Sequence, residues 1–140
     1  MLPGNAEVVL EVDLRSTADA PARARHAVRR VVAGLALDLA AIDLVVSEAV
    51  TNVVVHAYRD RADGHGRVRV AVARATDQIF VLVADDGIGM APRSDSPGMG
   101  LGLPLIARLA DSLQVRQSHE GTQLLVSFRP FASPPAPGLS

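Results

Sequence analysis

The chain of 140 residues contains no cysteine. Disulfides, thiolate zinc sites and cysteine nucleophiles are therefore excluded, and the composition suits a reducing compartment. Lysine is also missing, so all 14 basic residues are arginine. Schiff-base chemistry and a P-loop lysine are excluded with it. Tryptophan is absent and aromatics make up only 3% of the chain, which predicts an aliphatic core. No excess charge of either sign exists: the net charge is -1. With no interleaving of aromatic and basic residues, direct nucleic-acid binding is not expected. No apolar run approaches a membrane span, and Met1-Leu2-Pro3-Gly4 lacks the basic start and apolar run of a signal peptide. The expectation is a cytoplasmic protein without a membrane partner.

What is present is core material, with 49% hydrophobic residues in a length that suits one domain. Val8, Leu10, Val12 and Leu14 fall on one face, with Glu7, Glu11 and Asp13 mostly on the other, which predicts a strand with one wet face. Pro21 suits the first turn of a helix in which Val28, Val31, Val32 and Leu35 recur at helical spacing, ending near Gly34. Its arginines read as a solvated face first and as a partner surface second. Asp38 opens a second helix, predicted to reach about Tyr58, with Ile42, Val45, Val46, Ala49 and Val53 as its core stripe. Positions 67–75 and 78–85 read as one hairpin, and 113–118 and 122–128 as another. Between them lie a loop rich in Gly, Pro and Ser and a helix over 101–111, in whose first turn Pro104 is tolerable. The order β-α-α-β-β-α-β-β predicts an α+β two-layer sandwich, with a mixed, mostly antiparallel sheet and helices on one face. The expected domain covers 1–130, and the Pro-rich stretch 131–140 reads as a disordered tail.

Three stretches carry chemistry. In the second helix, Glu48 and Asn52 are neighbours one turn apart at the edge of the core stripe. A carboxylate can act as a general base, and an amide oxygen is a hard neutral ligand suited to Mg2+ already held by phosphates. His56, a further four residues on, projects to the apolar side and reads as a half-buried supporting histidine. In the second stretch, Asp85-Asp86-Gly87-Ile88-Gly89-Met90, alternation turns Asp85 to the face of Ile79, Val81 and Val83. A carboxylate there needs donors, and the amine of an adenine is one. Gly87 and Gly89 allow close backbone approach. The third stretch, Gly98-Met99-Gly100-Leu101-Gly102-Leu103, runs into a helix, and its N–H groups form an anion site. It is not the dinucleotide fingerprint, and it follows an antiparallel hairpin. Gly121-Thr122, late in the chain, is by itself only a turn.

Taken singly these are a helix boundary, a strand end and a loop. As an ordered set, E-x-x-x-N, D-x-G-x-G, G-x-G-x-G and a late G-T, the sequence resembles the Bergerat-fold (GHKL) ATPases over about residues 6–129. Within them SEAVTNVVVHAYRD is most similar to the anti-sigma factor serine/threonine kinases. That resemblance implies Glu48 as general base, Asn52 as Mg2+ ligand and Asp85 as adenine contact. It implies Gly87 and Gly89 as shapers of the adenine pocket, and Gly98, Gly100, Leu101 and Gly102 as the phosphate cradle. Thr122 would sit beside the base, and Arg93, in a short lid from Met90 to Pro97, would touch phosphate. It further implies ATP and Mg2+ as cofactors and a homodimer that silences a sigma factor. It implies, finally, phosphorylation of a serine on an antagonist STAS-domain protein. The alternative is a non-catalytic ATP- or ADP-binding regulator of a signalling partner, against which Glu48 argues. A detached histidine-kinase domain is disfavoured because His26 lies inside an ordinary domain helix.

Overall fold

The computed structural model describes residues 2–57, 66–86 and 99–131, with backbone alone at 56, 57 and 99–102. Five strands, β1 (Glu7–Arg15), β2 (Arg67–Arg74), β3 (Ile79–Asp85), β4 (Ser112–Ser118) and β5 (Gly121–Phe128), join three helices, α1 (Ala20–Val32), α2 (Leu39–Asn52) and α3 (Met99–Leu109). The strands lie in the order β1-β2-β3-β5-β4. The architecture is α+β, and every pairing among the described strands is antiparallel, where a mixed sheet was expected. The reason is topological. The crossover through α3 makes β4 run in the direction of β3, but β5 is inserted between them, so no parallel neighbours meet.

Alternation along the strands sorts the two faces. Val68, Val70, Val72, Ile79, Val81, Val83, Leu124, Val126 and Phe128 point to the helices and share one buried cluster with Val28, Ile42, Val46 and Ile106. Burying such side chains contributes about 1.5–3 kcal/mol each before chain entropy is counted. On the outer face Ala73, Phe80 and Leu125 form a smaller cluster with Leu2 and Ala6 against it. Strand β1 departs from simple alternation. Its register slips between Val8 and Leu10, so Leu10, Val12 and Leu14 reach the main core while Val8 faces Ala73 and is exposed. The inserted residue of a bulge moves everything before it to the opposite face.

The helices form where spacing and caps agree. Ala20, Ala24, Val28 and Val32 make the buried stripe of α1. Asp38 caps α2: its Oδ1 accepts the Ala41 N–H at 3.0 Å. Two of the arginines also tie α1 to α2: Arg25 Nη1 donates to Ser47 Oγ at 2.8 Å, and Arg29 Nη2, on the solvated face, lies 3.1 Å from Asp43 Oδ2.

Two further features depart from the sequence reading. The α-helix does not continue to Tyr58. It ends at Asn52 and passes into a π-helical turn over Val53–Ala57. His56 falls in this turn, and its side chain lies outside the described residues. Pro104 sits inside α3 rather than in its first turn, because the helix already starts at Met99. The carbonyl its ring would crowd belongs to Gly100, a residue that adapts more easily than most.

Candidate functional site

Three elements that converge at one end of the sheet carry the described part of the site. The chain leaving α2 at Asn52 re-enters the sheet at Arg67, in the strand that places Val68 opposite Asp85. The chain leaving β3 at Asp85 enters α3, and β5 begins beside it at Gly121. The central helix α2 touches α1 and α3 and rests on β3.

Asp85, the last residue of β3, is paired across the ladder with Thr122. Both side chains point to the helix layer, as the alternation predicts, and both are buried, Asp85 being 8% and Thr122 0% exposed. Opposed side chains of an antiparallel pair stand about 5 Å apart at Cβ, so a carboxylate and a hydroxyl share one small polar spot in an otherwise aliphatic layer. A buried carboxylate is costly without donors. A ligand that presents an amine and a ring nitrogen side by side suits this pair of groups.

Glu48 and Asn52 occupy successive turns of α2. Asn52 is buried and Glu48 half-buried, so the amide is held within the protein while the carboxylate keeps access to solvent. The π-helical turn follows Asn52 directly, and such turns recur at functional sites because they re-aim side chains without ending the helix. Among the described residues no cluster of three or more His, Cys, Asp or Glu could hold a metal. The amide oxygen of Asn52 is a hard, neutral donor of the kind that fits Mg2+ arriving on phosphates, since Mg2+ keeps water and phosphate oxygens around it.

The remaining expected contacts divide. Gly100, Leu101 and Gly102 lie in the first turn of α3, whose backbone N–H groups have no partners within the helix. Gly87, Gly89, Arg93 and Gly98 lie outside the described residues.

One residue of the site was passed over as a turn. Gly121 has φ 125°, and a Cβ there would collide with the Asp85 carbonyl oxygen and come within 2.7 Å of Asp86 Cα. Only glycine allows the start of β5 to close against the end of β3 and set Thr122 opposite Asp85. The sequence signal was present, as a Gly immediately before a strand, but turns show the same pattern.

A concavity of about 560 Å3 opens at the same end of the sheet, on its outer face. Arg69, Ala84, Gln123 and Arg116 line it from one cross-sheet row. Asp85 and Gly121 also line it, so it reaches the end of the sheet where Asp85 and Thr122 meet.

Comparison with known proteins agrees with this geometry. The chain belongs to the histidine kinase-like ATPase domain family, whose model matches residues 14–128. Among curated proteins it is similar to the anti-sigma F factor of Pasteuria penetrans, 32% identical over 123 residues that cover 78% of this chain and 81% of that protein. It is also similar to the serine-protein kinase RsbW of Bacillus mycoides (strain KBAB4), 27% identical over 132 residues that cover 77% and 81%. Among solved structures it superimposes on the blue-light activated histidine kinase of Erythrobacter litoralis EL346 with a TM-score of 0.57 and 26% identity. That match covers 78% of this chain and 40% of the kinase, so the chain spans two fifths of that protein's length.

Proposed function

We propose that this chain is an ATP-dependent protein serine/threonine kinase that acts as an anti-sigma factor. In this reading it works as a cytoplasmic homodimer, sequesters a sigma factor and phosphorylates a serine on a STAS-domain antagonist. The observation that carries it is the pair on α2: a half-buried Glu48 with solvent access, one turn before a buried Asn52. A module that only bound nucleotide has no use for the carboxylate. The names of the anti-sigma F factor and the serine kinase among its relatives support the same reading.

The roles are those that the family resemblance implies, and the chemistry of the residues suits them. Asp85 accepts from the adenine amine, and Thr122 offers its hydroxyl beside it. Gly87 and Gly89 allow the ring to lie against backbone. Gly100, Leu101 and Gly102 present N–H groups to the phosphates at the start of α3, where the helix dipole favours negative charge, and Gly98 is assigned to the same cradle. Asn52 offers its amide oxygen to Mg2+. Bound MgATP supplies the phosphoryl group. Glu48 would accept the proton of the acceptor serine hydroxyl as that oxygen bonds to the γ-phosphorus and the bond from that phosphorus to the β–γ bridging oxygen breaks, ADP leaving with the electron pair. Phosphoryl transfer depends mainly on positioning and charge neutralisation, which suits a site with so few reactive side chains.

The test is transfer of labelled γ-phosphate to a STAS-domain protein from the same host. The unaltered chain is expected to label a serine on it. Glu48→Gln is expected to bind ATP normally and to transfer about a hundredfold to ten-thousandfold more slowly. Undiminished transfer by the variant removes Glu48 from the base role, and a lack of transfer by the unaltered chain favours the non-catalytic regulator.

A further inference from the structure

Helix α2 lies between two others and buries most of its surface, yet its outward stripe is not the charged face such a helix normally shows. The stripe carries Leu44, Glu48 and Thr51 at steps of four and three, and Val55 follows in the π-helical turn that continues α2. Leu44 is 41% and Val55 52% exposed, two large apolar side chains standing in solvent on either side of the one carboxylate. Scattered surface hydrophobics need no explanation, but these two bracket the group assigned to the chemistry.

We infer that Leu44 and Val55 form a docking stripe for the phosphoacceptor segment of a protein substrate, apolar on both sides of the hydroxyl residue. The inference rests on the kinase reading and deepens it. A permanent partner on this stripe would bury the carboxylate that has to meet the acceptor hydroxyl. The occupant is therefore transient and carries that hydroxyl itself. Its spacing follows from the helix. At about 1.5 Å per residue Leu44 and Glu48 are about 6 Å apart along the axis, and Glu48 and Val55, with part of the wider π-helical turn between them, at most about 10 Å. An extended segment covers those distances in about two and three residues. The acceptor thus carries one apolar side chain about two positions to one side of the hydroxyl residue and another about three positions to the other. The neighbouring ridge is tied to α1, since Arg25 is bonded to Ser47 and Arg29 to Asp43.

The test uses the full chain, MgATP and a purified STAS-domain protein from the same host with one phosphoacceptor serine. Leu44→Gln and Val55→Gln sit on exposed positions, so MgATP affinity, measured by calorimetry, is expected to stay within about twofold. The KM for the STAS-domain protein is expected to rise roughly tenfold or more for each, with kcat at saturation nearly unchanged. An unchanged KM with transfer intact overturns the docking stripe and leaves the kinase reading standing. An unchanged KM together with conversion of a dimer to a monomer in sedimentation assigns the stripe to a second copy and overturns it as well. Absence of transfer by the unaltered chain overturns the kinase reading and the stripe with it.

Discussion

Asp85 and Thr122 face one another across the β3–β5 ladder, both buried, on the side of the sheet that carries the helices. Each is the polar end of an otherwise apolar row, and the two rows end together. Asp85→Asn keeps the volume but removes the charge that accepts from an amine. A hydrogen bond to a charged group contributes about 1.5–3 kcal/mol, so adenine-nucleotide affinity is expected to fall roughly ten- to a hundredfold by calorimetry. Unchanged affinity would sink the assignment. Thr122→Val, which loses one neutral partner, is expected to do the same to a smaller degree.

Gly121→Ala tests how that pairing is held. The added Cβ would strike the Asp85 carbonyl, and the φ of 125° is unfavourable for any residue with a side chain. Strain of this kind costs about 1–3 kcal/mol, so the urea midpoint is expected to drop and nucleotide affinity to fall with it. Retained stability with lost binding would instead place Gly121 among the ligand contacts.

Asn52→Ala addresses the metal. If the amide oxygen takes Mg2+, ATP binds the unaltered chain more tightly with Mg2+ than in chelator, and the variant loses that difference. Equal ATP affinity of the unaltered chain in Mg2+ and in chelator would count against the assignment. Because Asn52 is buried next to the π-helical turn, far-ultraviolet circular dichroism should accompany the measurement to show that α2 persists.

Asp38→Ala concerns the helix rather than the chemistry. The Asp38 carboxylate accepts the Ala41 N–H at the start of α2, and loss of such a cap costs about 0.5–2 kcal/mol. Denaturant unfolding should show this loss with little change in nucleotide affinity, since the cap lies at the opposite end of α2 from Asn52.

Much of the architecture was legible because strand and helix periods are local properties. The alternation in Val68–Val70–Val72 and Ile79–Val81–Val83 is carried by neighbouring residues, and the fold needs only that their apolar sides be covered. The orientation of Asp85 followed from the same alternation. The exception in β1 is instructive: the alternation falters at Val8-Val9-Leu10, where the register slips, but three apolar residues in a row do not say which of them is inserted, since that is decided by the partner strand. The π-helical turn after Asn52 was equally hidden, because the residues Val53 to Ala57 suit either winding and packing chooses between them.

The sequence alone determined the α+β class, the placement of Glu48 and Asn52 one turn apart, the inward aim of Asp85 and the exclusion of thiol and lysine chemistry. These depend on residue identity and on spacing along a single element. Only the tertiary structure decided that β5 lies between β3 and β4 and so brings Thr122 to Asp85. It alone made Gly121 obligatory and left Leu44 and Val55 bare on either side of Glu48. Those are contacts between residues distant in the chain, set by which surfaces meet when the layers close, and no local pattern encodes them.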